Sequence, residues 1–436
     1  MSSFVPRVGF AGMSHLGLVS AASLASRGLP VVAFDPDAAL IEQLSRGRLP
    51  VVEPGLPELL AVSQRPVFTA NARELRSCNV VYLALDVATD DAGQSDSGPL
   101  DRLIDAVWPH LGPETVAVIL SQVPPGFTRR LARSRMDAPV RPAALYYQVE
   151  TLIFGRAVER ALQPERYMVG CADAAEPLPG VYAQLLALFP CPVLRMRYES
   201  AELAKISVNF FLVSSLATTN MLAEVCERAG ADWSEIAPAL RLDARIGPKA
   251  YLDPGLGFGG GNLGRDLATI KRMSGERGTD TRVIDAWRAN SVYRRDWALR
   301  VLRTDVFDRT PHASLAVWGL AYKQDTASTK NSPAVALLEA VGERTVSAYD
   351  PAAVLPECLR GRVTTVPDPL SACDDADVLL VMTPWPDFRK VALDRVAAAM
   401  RGRTLIDPGG VLDAGRTAAL GFTHYRLGAP PPVRPC

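Results

Sequence analysis

The chain opens with an apolar run, Arg7-Val8-Gly9-Phe10-Ala11-Gly12, which leads through Gly12-Met13-Ser14-His15-Leu16-Gly17 into a small-residue stretch ending near Arg27. A second apolar run, Val31-Val32-Ala33-Phe34-Asp35, follows at once. A buried strand, a glycine turn, a helix and a second strand within about 30 residues is the opening of a Rossmann unit, and it commits the chain to a doubly wound sheet. In such a turn Gly12 makes the tight bend and Gly17 lets helix pack on strand. The middle position, where pyrophosphate approaches the backbone, is Ser14. Its side chain takes up that space, although its hydroxyl can donate to a phosphate. Asp35 closes the second strand at the spacing of a carboxylate that binds ribose hydroxyls, which favours NAD over NADP. An aspartate before Pro36 also commonly starts a turn.

Further apolar runs suit the same sheet, at Val80-Val81-Tyr82-Leu83-Ala84 and Val116-Ala117-Val118-Ile119-Leu120. From Ser200 to Ala229 few breakers interrupt a long helical pattern, and helical sequence recurs to about Leu302. Leu315-Ala316-Val317-Trp318-Gly319-Leu320 then starts a second α/β unit, with strands expected at Thr345–Asp350 and Val378–Met382. The expected fold is α/β: two Rossmann-like doubly wound domains joined by a long central helix and a helical middle domain. The boundaries read as 1–195, 196–305 and 306–436.

A chain of 436 residues is too long for one ordinary core. Its 47 Lys and Arg balance 47 Asp and Glu, which argues against a nucleic-acid partner and requires any anionic ligand to be held by a local cluster. Cys78, Cys171, Cys191, Cys226, Cys358, Cys373 and Cys436 lack paired metal-site spacings and read as buried reduced thiols. His15, His110, His312 and His424 form no ligand pattern, so no metal is expected. No stretch reads as long and uninterrupted enough to span a bilayer, and no signal segment precedes the first strand. A cytoplasmic protein without a membrane partner is the expectation.

The run Gly257-Phe258-Gly259-Gly260-Gly261-Asn262-Leu263-Gly264-Arg265-Asp266 resembles the catalytic loop of the UDP-glucose/GDP-mannose dehydrogenase family, and the likeness is greatest to its UDP-glucose branch. The resemblance extends over nearly the whole chain. It includes Leu49–Leu60 with Glu53-Pro54-Gly55, Ser200–Asn209 at the start of the central helix, Asp243–Gly247 and Gly319–Thr326. It implies oxidation of a nucleotide sugar, a UDP-hexose, with NAD as acceptor, in a homodimer. Carried over by position, Lys205 and Asn209 polarise the substrate oxygen, Asp266 cooperates with a water as base, and Glu150 assists proton transfer. Arg245 reaches a sugar nucleotide across a dimer interface, and Lys323 lies near the nucleotide. Tyr251, Phe258 and Gly259 join the substrate set. Lys330 joins the cofactor set beside Gly12, Ser14, Gly17 and Asp35.

The departures fall on the chemistry. Asn262 stands where the family carries a nucleophilic cysteine, and a carboxamide is no substitute for a thiolate. Gln122 replaces a threonine that helps hold water, Asp86-Val87-Ala88-Thr89 replaces a turn beside the nicotinamide, and Ile153-Phe154 replaces an Arg-Glu pair. A two-electron oxidation that stops at a carbonyl, or a transient oxidation leading to epimerisation, is therefore expected. The alternatives are a catalytically silent nucleotide-sugar binder and a slow, non-covalent UDP-glucose 6-dehydrogenase.

Overall fold

The computed structural model describes residues 5–61, 64–88 and 95–432; Thr89 and Cys436 lie outside the described residues. The chain divides after Val208 into two compact units.

The first unit is built on strands β1 (Val8–Ala11), β2 (Val31–Phe34), β3 (Val67–Thr69), β4 (Val80–Leu83), β5 (Val116–Ile119), β6 (Ala144–Gln148), β7 (Tyr167–Cys171) and β8 (Val193–Arg197). They form one sheet in the order β3-β2-β1-β4-β5-β6-β7-β8. Only the β6–β7 pair is antiparallel. The four residues of β1, β2, β4 and β5 are all buried, as expected where helices cover both faces of a parallel sheet. Helix α1 (His15–Ser26) crosses from β1 to β2, and the order reverses between β1 and β4, the switch point at which such sheets bind ligands.

Two contacts fix the local geometry near that point. A Cβ on Gly17 would lie 1.8 Å from the Gly12 carbonyl oxygen, so only glycine lets α1 approach its own strand. Glu202, fully buried on the central helix, accepts from the Gly126 N–H at 2.5 Å and the Thr128 N–H at 2.8 Å. It thereby caps the helix Phe127–Arg135 and anchors the turn after β5. Burial pushes the Glu202 carboxyl up, and these N–H donors oppose the shift.

The central helix runs Tyr198–Ala229 over 32 residues, and the division between units falls within it. It corrects one expectation. By length and composition it passes the test for a membrane span, with mean hydropathy 1.4 in its most apolar window. Its apolar residues divide between core positions such as Ile206, Val213 and Leu216, and exposed positions such as Phe211 and Met221.

The second unit carries shorter helices and a wholly parallel sheet of β9 (Leu315–Trp318), β10 (Val346–Tyr349), β11 (Thr364–Thr365), β12 (Val378–Val381), β13 (Thr404–Ile406) and β14 (Thr423–Tyr425), in the order β11-β10-β9-β12-β13-β14. The turn after β9 repeats the logic of the first: Gly319 has φ +96, and Asp350 at the end of β10 accepts from Leu320 N–H at 2.7 Å and Ala321 N–H at 3.0 Å.

The described cysteines are unpaired. Cys78, Cys171, Cys226 and Cys373 are buried as expected, but Cys191 is half-buried and Cys358 is exposed. Burial pushes the Cys78 thiol up to about 11 and Cys373 up to about 12, the opposite of what an activated nucleophile needs.

Two substitutions test this framework by urea unfolding. Gly17→Ala is expected to cost about 3 kcal/mol from overpacking against the turn. Glu202→Ala is expected to cost about 2–4 kcal/mol because two N–H groups lose a charged acceptor.

Candidate active site

The glycine turn of the first unit has the backbone a dinucleotide requires. Gly12 has φ +94, and Ser14 is the N-cap residue of α1. The Ser14 hydroxyl is engaged by protein backbone on both sides. It accepts from the Asp86 N–H at 2.9 Å and approaches the Ala84 carbonyl oxygen at 3.4 Å, tying the turn to the end of β4. Asp35 is buried, and both its carboxylate oxygens engage backbone: Oδ2 accepts from Met13 N–H at 2.7 Å and Oδ1 from Asp37 N–H at 2.9 Å. The turn-starting reading of Asp35 is therefore met, and lone pairs remain for a ribose hydroxyl. Asp350 holds the second unit's turn in the same way, so this clamp belongs to the fold as much as to any ligand. The turn, the helix N-terminus and Asp35 together fit a dinucleotide.

His15, in the first turn of α1, is buried and hydrogen-bonds through Nε2 to Glu53 Oε2 at 2.8 Å. Glu53 also accepts from Gly155 N–H at 3.0 Å and Ala157 N–H at 2.8 Å. Phe154 stacks on the His15 ring at 4.4 Å. Glu53, in the Glu-Pro-Gly element, is thus the post that holds the segment after β6 against α1. Ahead of that segment, Lys205 donates to the Glu150 carbonyl oxygen at 2.8 Å and pairs with its carboxylate at 3.2 Å. Gln122 is half-buried in the turn whose far end Glu202 anchors.

In the second unit Asn209, one helical turn after Lys205, donates to Asp266 Oδ2 at 2.5 Å. Asp266 is only 1% exposed and also receives the Arg265 guanidinium at 3.2 Å on Oδ1. The glycine run owes its composition to close packing. A Cβ on Gly257, at φ +72, would meet the Ser291 carbonyl oxygen at 2.4 Å, and one on Gly260 would meet the Tyr322 ring at 2.9 Å. Phe258 N–H donates to Ser291 Oγ at 2.9 Å, and its side chain packs beside Leu267, Ile284 and Trp287. Gly259 lies against Tyr322 and the Asn331 carbonyl, and Asn331 donates to the Gly260 carbonyl oxygen at 2.7 Å. Asn262 begins the helix Asn262–Gly275 and is exposed.

The remaining candidates are placed as follows. The Lys330 carbonyl accepts from Gly260 N–H at 3.0 Å, which puts its backbone on the glycine loop of the second unit. The Lys323 ammonium lies 5.8 Å from the centre of the Tyr322 ring. Tyr251 is 48% exposed. Arg245 is 89% exposed and pairs with Asp243 two residues away, and its guanidinium holds that carboxyl below the usual range. Sequence reasoning passed over Glu202, Ser291, Tyr322 and the Asp86 contacts. Only the density of glycines at 257–261 signalled that close neighbours were required.

Known proteins resolve what these pairs belong to. Residues 6–186 match the NAD binding domain of the UDP-glucose/GDP-mannose dehydrogenase family, residues 199–291 its central domain and residues 316–414 its UDP binding domain. The UDP-glucose 6-dehydrogenase of Pseudomonas aeruginosa is 30% identical over 443 residues, covering 96% of each chain. The UDP-glucose 6-dehydrogenase TuaD of Bacillus subtilis is 29% identical, over 97% of this chain and 93% of its own. A UDP-glucose dehydrogenase structure from Pyrobaculum islandicum superposes with a TM-score of 0.84 at 25% identity, covering 98% of this chain and 99% of that one. With all three domains matched in order along the chain, this protein belongs to the UDP-glucose/GDP-mannose dehydrogenase family of NAD-dependent UDP-sugar oxidoreductases.

Proposed function

We propose that this chain oxidises the sugar of a UDP-hexose by two electrons to a carbonyl product rather than to the acid, or, at a ring carbon, oxidises it transiently and returns the hydride to the other face to give the epimer. The observation that carries this reading is the Asn209–Asp266 pair, in which a carboxylate 1% exposed accepts at 2.5 Å from a residue on the helix that also bears Lys205. Lys205 and Asn209 are donors to the sugar oxygen, where negative charge develops as its proton leaves. Asp266, through a water, takes that proton. NAD held at the turn of Gly12, Ser14 and Gly17 and by Asp35 would supply the hydride acceptor. Glu150, paired with Lys205, assists the passage of that proton to solvent. Gln122 orders water in the turn that Glu202 anchors.

Asn262 closes the covalent route. It stands exposed at the start of a helix, where a thiolate would gain from the N-terminal dipole and a carboxamide does not ionise. Without a tethered thiol the aldehyde is not captured as a thiohemiacetal, so the second oxidation depends on spontaneous hydration. A catalytically silent binder is the second reading, and the Ser14 and Asp86 contacts at the cofactor turn favour it.

The chain acts as a homodimer in this reading. The central helix leaves Phe211 77%, Met221 52% and Val225 54% exposed, an apolar face suited to a second copy. The exposed Arg245 then serves the partner's nucleotide sugar.

Incubating purified protein with NAD and UDP-glucose or related UDP-sugars, while following NADH and products, separates the readings. One NADH per sugar, or epimer without net NADH, is expected; uronic acid at ordinary family rates sinks the claim, and no turnover with retained ligand binding favours the silent binder. Asn262→Cys is expected to raise acid formation by about 100-fold or more. Phe211→Asp should shift the light-scattering mass to that of a monomer.

A further inference from the structure

One group that the proposed chemistry leaves unused lies on the cofactor turn itself. The first turn of α1 holds no acidic residue, and Ser14 does not cap its own helix. The Leu16 N–H, at the positive end of α1, donates instead to Oδ2 of Asp86, 70 residues away, at 3.1 Å. The Asp86 N–H in turn donates to Ser14 Oγ at 2.9 Å, and Ser14 Oγ approaches the Ala84 carbonyl at 3.4 Å. The segment leaving β4 is therefore stitched to the glycine turn, with a carboxylate resting on the helix end.

We propose that Asp86 is a built-in anionic competitor for the dinucleotide phosphates and sets how tightly this chain binds NAD. A helix N-terminus after a glycine turn binds phosphate because its free N–H groups and its partial positive charge favour an anion. Here an internal carboxylate holds one of those N–H groups and compensates that charge. A phosphate arriving at the same helix end would be repelled by this carboxylate, the more so where water is excluded. Gly12 and Gly17 keep the backbone of the cradle, so what distinguishes this turn is its occupant and not its shape. Asp86 is exposed, so its side chain has solvent to move into when phosphate arrives. The cofactor then binds only by displacing Asp86 from Leu16, and affinity is reduced by the cost of that displacement. Ligands without phosphate escape this cost. Asp86 is thus a determinant of affinity and ligand selectivity, and takes no part in the redox step.

The test is calorimetric titration of the full chain and of Asp86→Ala and Asp86→Asn with NAD, with ADP-ribose and with adenosine, each protein's melting temperature serving as a check on folding. Asp86→Asn removes the charge while retaining a hydrogen-bonding group, and Asp86→Ala removes both. Both variants are expected to bind NAD and ADP-ribose about tenfold more tightly than the parent chain, with adenosine unchanged. Unchanged or weaker NAD binding by folded Asp86→Ala overturns the proposal, because the carboxylate would then be neutral or would itself hold the cofactor. An equal gain for adenosine also overturns it, since the effect would then not act through phosphate. Absence of dinucleotide binding in all three proteins overturns both this proposal and the use of NAD. Normal NAD binding with no gain in the variants overturns this proposal alone.

Discussion

Buried carboxylates that need partners organise both units of this protein. A carboxylate removed from water is costly unless donors replace its hydration. Glu202 is satisfied by two backbone N–H groups, and Asp266 by Asn209 and Arg265. Glu53 is satisfied by His15 and two further N–H groups. Each arrangement brings a loop of the site to a fixed element, so the loops owe their places to electrostatic satisfaction as much as to apolar packing. The central helix supplies the partners at 202, 205 and 209, a spacing that keeps all three close to one stripe. Nearer its end, Glu227 accepts from Arg294, Trp297 and the Gly428 N–H, so one helix ties together segments distant in sequence.

Much of the architecture was legible because buried parallel strands are written in apolar runs. The runs at β1, β2, β4, β5, β9, β10 and β12 each lie where the sequence placed them, within a residue or so at the ends. Most of the strands missed are short or polar, although β7 is an apolar run of five residues. β11 is only Thr364–Thr365, β8 contains Arg195 and Arg197 and is largely exposed, and β6 ends on Gln148, which accepts from two tyrosine hydroxyls. A polar residue satisfied by a distant hydroxyl looks like a loop residue when read alone.

The site was legible by residue type and less so by contact. Lys205, Asn209 and Asp266 could be named from motif and helical spacing, but the Asn209–Asp266 bond joins positions 57 residues apart, beyond any local pattern. Glu202 reads in sequence as one more charge on a helix surface, yet it is completely buried. Asp35 shows the reverse case. Its sequence context admitted a ribose ligand or a turn starter, and the parallel with Asp350 shows why both are available to one residue: the carboxylate braces the backbone first and has lone pairs left over.

The glycine loop before Asn262 separates what holds its shape from what it presents. Its shape is dictated from behind, by Ser291 under Gly257 and by Tyr322 under Gly259 and Gly260. Residue 262 itself faces outward, at the first position of a helix whose buried side is secured by Asp266 and Leu267. The loop therefore acts as a socket: its walls are load-carrying, and the group it presents is interchangeable. Exchange of the presented side chain is a change the fold bears at little cost.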